Sequence, residues 1–197
     1  MGNLSGKTLW VMRHGRPNVP PNPLLMTKTE FNEYLHRYDE AGLSSAEAQR
    51  LNTLYEEFPT PDLVIASDLP RAKETAELFG RGTHMLIDPL FREIPVMVPE
   101  NSTWFLNRRW PSEFWWSYLR SSWFFDIPPE GRKQSTKRGW LAIEKIIEWQ
   151  QQSDELAIVS HSGFLLVTIH LMMQKNLIKG RRLPHIAFGQ PTQYQWR

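Results

Sequence analysis

Residues 9–20, LWVMRHGRPNVP, set an apolar run directly against Arg13-His14-Gly15-Arg16 and then turn through Pro17. An unbroken apolar run closed by turn residues suits a strand buried on both faces. Two further stretches repeat this grammar. In DLVIA (62–66) the run passes into Ser67-Asp68, and LPRAKETAELF (69–79) then brings Leu69, Ala72, Ala76 and Phe79 together at helical spacing, with Arg71 in the first turn. Ser67 or Asp68 suits the N-cap of that helix, and Pro70 an early helical position. In ELAIVS (155–160) the run passes into His161-Ser162-Gly163 and an apolar helix from Phe164.

Such strands alternating with helices predict an α/β fold, a mostly parallel sheet flanked by helices on both faces. Residues 45–58 and 139–151 read as amphipathic helices, each placed before a strand as a β-α-β order requires. The alternating PTQYQW (191–196) predicts an added edge strand. No internal repeat interrupts the chain, and 197 residues suit one domain spanning 1–197.

Residues 99–130 differ in composition, holding five of the nine tryptophans. Pro111 is placed to open a helix on which Trp116, Leu119 and Trp123 share a face. The segment reads as an inserted helical lid or subdomain packing its aromatics on the core. A substrate cover and a surface for homo-oligomer formation are the alternatives.

Composition excludes several chemistries. With no cysteine, there is no disulfide, thiolate metal site, Fe-S cluster or cysteine nucleophile. The formal charge of +2 is too slight to argue for nucleic acid as a partner, though it is compatible with an anionic small substrate. The longest apolar stretch, residues 164–173, contains His170 and is too short to span a bilayer, so no membrane partner is expected. The N-terminus lacks the apolar core of a cleaved leader, which makes the expected location cytoplasmic. No His-x-x-x-His or carboxylate-histidine spacing suggests a metal, and no cofactor is expected.

In open α/β sheets, ligands bind outside the carboxyl ends of the strands. Each of the three units therefore delivers a basic residue to one edge. Arg13 and Arg71 offer planar forks of donors to phosphate or carboxylate oxygens, and His14 and His161 meet there from different strands. Neighbouring helix N-termini are expected to add backbone N–H donors. A neutral histidine can attack phosphorus and carry it as phosphohistidine. Nearby guanidinium charge lowers the histidine pKa and keeps its lone pair available.

The three motifs RHG, SDLPRAKETAEL and VSHSGF, in this order at strand ends, resemble those of the histidine phosphatase superfamily, the phosphoglycerate mutase-like family, in its short-chain branch 1. The resemblance runs from about residue 8 to 170, and the aromatic insertion is least alike. It implies His14 as the phosphorylated nucleophile, with Arg13, Arg71 and His161 binding the phosphoryl oxygens of a small phosphorylated substrate. It also implies a carboxylic acid that protonates the leaving oxygen, a position matched by Glu93 in LIDPLFREIP. Such an acid needs a raised pKa.

Some positions depart from the family's pattern. The family's tryptophan-containing motif after the acid is replaced by IPVMVPE, which leaves Glu100 and Asp88 as alternatives to Glu93. Ser162 stands where the family has the first of two glycines, a change that keeps a backbone N–H for substrate. Arg16 follows the RHG motif as either a further anion contact or a rim residue, and Asn18 comes four residues after the nucleophile. The resemblance implies a metal-independent phosphomonoester hydrolase. A phosphoglycerate mutase and a non-catalytic phospho-ligand or protein-binding module are the alternatives.

Overall fold

The computed structural model describes residues 3–21, 23–95, 97–98, 106, 108–127 and 129–197. Its central sheet has six strands. These are β1 (Thr8–Arg13), β3 (Leu63–Ala66), β4 (Met85–Ile87), β6 (Glu155–Ser160), β7 (Ile178–Gly180) and β8 (Thr192–Trp196), in the spatial order β4-β3-β6-β1-β8-β7. The four strands from β4 to β1 pair in parallel, and β8 and β7 are added antiparallel. Two short strands, β2 (Leu25–Met26) and β5 (Trp110–Pro111), pair apart from this sheet.

The apolar runs are buried on both faces because successive side chains alternate between two helical layers. Leu9, Val11, Ile65, Leu156 and Ile158 pack on the side of α5 (Arg132–Gln150) and α6 (Ser162–Gln174). Trp10, Met12, Val64, Ala66, Ala157 and Val159 pack on the side of α2 (Ser45–Tyr55) and α3 (Pro70–Gly80). Helices thus cover both faces, as expected. The apolar helix after His161 is α6, whose outer face leaves His170 exposed.

Four details differ from the sequence reading. PTQYQW forms β8, but β8 lies between β1 and β7 rather than at an edge, because the short 178–180 strand after α6 returns to pair with it. Helix α5 begins seven residues before Gly139, taking in a polar first turn that carries no apolar period. Leu69, without a side-chain cap, is the N-cap of α3, which leaves Ser67 free to face the sheet edge. Helix α1 (Lys28–Glu40) was not legible as an apolar stripe; a capping box between Thr27 and Glu30 fixes its start.

Helix α1 gives the aromatic segment its partner. Within 99–130, helix α4 (Ser112–Phe124) follows Pro111. Its most buried residues are Trp115 and Leu119, with Trp116 turned part-way out, so the buried face is rotated from the expected one. Trp115 stacks on Phe31 of α1 at 5.7 Å between ring centroids and donates its indole N–H to the Met26 carbonyl at 3.0 Å. Met26, Phe31, Tyr34, Val98, Leu106, Trp115 and Leu119 make a third apolar cluster, separate from the two that sandwich the sheet. Trp123 reaches the α5–α6 layer instead, through a hydrogen bond to Ser135.

Trp115→Ala is expected to cost about 3–5 kcal/mol, the range for deleting a buried tryptophan. Equilibrium urea unfolding followed by far-UV circular dichroism measures the loss.

Candidate active site

Register places the histidines. Parallel pairing aligns Arg13 of β1 with Ser160 of β6, so the next residues, His14 and His161, leave the sheet side by side. The His14 amide continues the ladder to the Ser160 carbonyl at 2.9 Å, and the Ser67 amide, after β3, donates to Val159 at 3.0 Å. The two imidazole centroids lie 4.8 Å apart. Both rings are almost fully buried, at 1% exposure for His14 and 0% for His161. Gly15 is required by crowding, since a Cβ there would sit 2.6 Å from Leu51 Cδ1.

Arg71, also buried, is the hub between the two rings. Its Nε donates to His14 Nε2 at 3.2 Å, and Nη2 lies 3.4 Å from His161 Nδ1. These contacts settle the tautomers. His14 Nδ1 faces the Gly15 carbonyl at 2.6 Å and therefore carries the proton, leaving the Nε2 lone pair toward Arg71. His161 Nε2 faces Ser67 Oγ at 2.9 Å and donates to it, which leaves Nδ1 as the acceptor. Burial, and then the charges around them, hold both histidines well below their ordinary pKa. For His14 the charges are Arg71 and Arg13; for His161 they are the neighbouring His14 whenever that ring is protonated, and Arg71, Arg13 and Arg138. Both imidazoles are neutral at neutral pH.

Arg13 lies half-buried with its guanidinium 3.8 Å from the Phe188 ring centroid, donating to the Ile186 carbonyl and to the Tyr38 hydroxyl. Arg71 is likewise engaged by the C-terminal turn of α1, through the carbonyls of Tyr38 and Asp39 and the Asp39 carboxylate at 3.0 Å. Oxygen atoms of the protein thus already fill donor positions of both guanidinium forks. A ligand oxyanion at either fork has to displace these oxygens, among which the Asp39 carboxylate is itself charged.

Glu93 reaches the same edge from the chain after β4, past a short 3-10 turn at Pro89–Phe91. Its carboxylate accepts from the amides of Gly163, at 3.3 Å, and Phe164, at 3.0 Å, at the N-terminus of α6. Gly163 permits this approach, because a Cβ there would stand 2.7 Å from Glu93 Oε1. Dense surrounding protein raises the Glu93 pKa against the pull of those amides, the Ile94 amide and Arg13. A carboxyl held in this way can carry a proton to a leaving oxygen.

The other sequence candidates divide. Ser162 is the first residue of α6, beside His161 and half-exposed. The free amides expected at helix N-termini are partly spoken for, because Glu93 accepts two of those of α6. Asp88 is no acid: although burial pulls its pKa upward, hydrogen bonds from Lys145 and the Leu90 amide outweigh that and lower it. Glu100 lies outside the described residues. Arg16 is exposed, 5.7 Å from the Phe188 ring centroid, which places it at the rim, and exposed Asn18 donates its amide to Gly42. Arg92 pairs with Asp68 rather than with Glu93.

Tyr38, Asp39 and Phe188 were not anticipated. Tyr38 and Asp39 end a helix that showed no periodic stripe, and Phe188 stands alone in the loop before β8. Ser67 was noticed only as a cap. Among the described residues, no group of three or more His, Asp or Glu side chains converges as metal ligands do. No helix there is long and apolar enough to cross a membrane.

Paired imidazoles and arginine forks at the carboxyl edge of a doubly covered parallel sheet define a phosphoryl-handling α/β protein. The sequence model of the histidine phosphatase superfamily (branch 1) matches residues 9–195, and the chain belongs to that superfamily. It is an enzyme of the histidine phosphatase class. The fold is shared with the α-ribazole phosphatase of Shigella flexneri, at TM-score 0.62 and 19% identity over 96% of this chain and 94% of that one. It is shared also with a mycobacterial glucosyl-3-phosphoglycerate phosphatase in complex with VO3, at TM-score 0.63 and 17% identity over 97% and 96% of the two chains. A phosphoserine phosphatase mutant from Entamoeba histolytica, in complex with phosphoserine, superposes at TM-score 0.56 and 15% identity over 94% of each chain. Comparison with curated proteins finds no match.

Asp39→Ala removes a carboxylate that competes with an incoming anion for Arg71. Because Asp39 is largely exposed, the gain is small. Vanadate is expected to bind about two- to fivefold more tightly, which isothermal titration calorimetry measures.

Proposed function

We propose that the protein hydrolyses a small phosphomonoester in two steps without a metal ion. The observation that carries this reading is the His14 tautomer. With its Nδ1 proton held by Gly15, the ring keeps its lone pair on Nε2, where it accepts from Arg71 Nε and is released for attack when that guanidinium turns to the phosphoryl oxygens. In the first step Nε2 attacks phosphorus, the ester P–O bond breaks, and Glu93 gives its proton to the departing oxygen. In the second step water attacks the phosphohistidine, yields a proton to the Glu93 carboxylate, and the P–N bond breaks to release phosphate and restore His14.

Arg13 and Arg71 take the phosphoryl oxygens, His161 joins them by exchanging its Nε2–H bond to Ser67 for one to an oxygen, and the half-exposed start of α6 at Ser162 offers a further amide. Charge is then stabilised by fixed donors as it develops. The partner is a small phosphorylated molecule, in keeping with the names of the three structural neighbours, each a phosphatase. The rings of Phe188 and Tyr38, with centroids 5.7 and 6.3 Å from that of His14, bound the space left for the alcohol portion.

The test is turnover of p-nitrophenyl phosphate with EDTA present. Native protein is expected to remain active, and His14→Ala to lose on the order of 10^4-fold or more, as an essential nucleophile does. Retained turnover in His14→Ala, or its abolition by EDTA, overturns the reading.

The pH profile follows from the two shifts. His14 must be neutral, and its lowered pKa carries the acidic limb below the ordinary histidine range. Glu93 must be protonated, and its raised pKa sets the alkaline limb above the ordinary carboxylate range. The optimum is therefore expected on the acid side of neutrality. With phenyl phosphate, whose leaving oxygen needs the proton, Glu93→Gln should flatten the alkaline limb and lower kcat/KM by about 10^2–10^4-fold, as read from initial rates across pH.

A further inference from the structure

Residues 92–95, which carry Glu93, form no helix or strand, so backbone carbonyls there must be satisfied from elsewhere. One side chain serves three carbonyls around Glu93. Arg138, on the second turn of α5, donates Nη1 to the carbonyls of Leu90 and Arg92, both at 2.8 Å, and Nη2 to the Glu93 carbonyl at 3.5 Å. Its Nε donates to Glu130 Oε1 at 3.0 Å, and the Glu130 side chain is 7% exposed. The same guanidinium lies 4.2 Å from the ring centroid of Phe164, whose amide holds the Glu93 carboxylate.

We infer that Arg138, oriented by Glu130, is a positioning residue for the leaving-group acid Glu93. A guanidinium fork is rigid, so three carbonyls bound to it are fixed relative to one another. The Glu93 backbone is thereby clamped from behind while its carboxyl is clamped in front by the start of α6. Glu130 keeps the part-buried cation neutralised and its fork turned toward the segment. Small displacements matter here, since proton transfer requires the carboxyl within hydrogen-bond reach of the leaving oxygen. The inference rests on the reading of Glu93 as that acid.

The leaving group separates this role from a merely structural one. p-Nitrophenyl phosphate and phenyl phosphate have nearly the same shape, but nitrophenolate departs without protonation and phenolate is the poorer leaving group. In Arg138→Gln, kcat/KM, which excludes the phosphohistidine hydrolysis common to both esters, is expected to fall about 30- to 100-fold for phenyl phosphate and less than about fivefold for p-nitrophenyl phosphate. Glu130→Gln, which keeps an acceptor for Nε, should show the same selectivity with a smaller loss. An equal loss on both esters, or no loss, overturns the inference. So does failure of both variants to fold, which would make the pair structural. If the native enzyme turns over p-nitrophenyl phosphate and Glu93→Gln shows no leaving-group selectivity, the assignment of the acid itself has failed.

Discussion

Arg71 carries a buried positive charge between two buried imidazoles, and the site is organised around the cost of that arrangement. A cation taken out of water must be surrounded by acceptors. Here they are two ring nitrogens, two backbone carbonyls and one carboxylate. The same charge disfavours protonation of His14 and His161, which keeps both rings neutral and so able to accept from it. Placing the rings where a single guanidinium reaches both requires β1 and β6 to be adjacent, parallel and in one register. The hydrophobic sandwich around the sheet serves that registration.

Glu93 stands under a different constraint. It comes from the irregular chain after β4, and each of its ends is held by another element. Helix α6 holds the carboxyl, and α5, through Arg138, holds the backbone. His14 is positioned by sheet hydrogen bonds, and Glu93 by two helices packed on one face of that sheet. The aromatic segment touches this arrangement through Glu130 and through α1, whose last turn engages both arginines. Among the described residues, Trp110, Trp115 and Trp116 build a separate cluster with α1, while Trp123 packs on the central core.

Strands β1, β3, β6 and β8, helices α2, α3, α5 and α6, and His14, Arg71 and His161 were legible in the sequence, because apolar runs ending in polar turns announce both a strand and the residues at its end. Glu93 was legible only through resemblance, since LFREIP has no periodicity of its own. Helix α1 escaped notice because few of its residues are apolar, and its start depends on a capping box between Thr27 and Glu30. The placement of β8 escaped as well, for alternation says that a strand forms but not who its neighbours are. Tyr38, Asp39 and Phe188 had no local signal at all.

The sequence by itself determined the chemistry that could be offered: two histidines, two arginines and a carboxyl, without cysteine, attached to segments that must become buried strands and covering helices. Those properties are local, since burial pattern and residue type are carried by a few neighbouring positions. Only the tertiary structure decided which nitrogen of His14 carries the lone pair, which acceptors occupy the arginines, and what holds Glu93. Each of those depends on groups brought together from opposite parts of the chain, such as Arg71 with Tyr38, or Arg138 with Leu90, and no sequence spacing encodes their meeting.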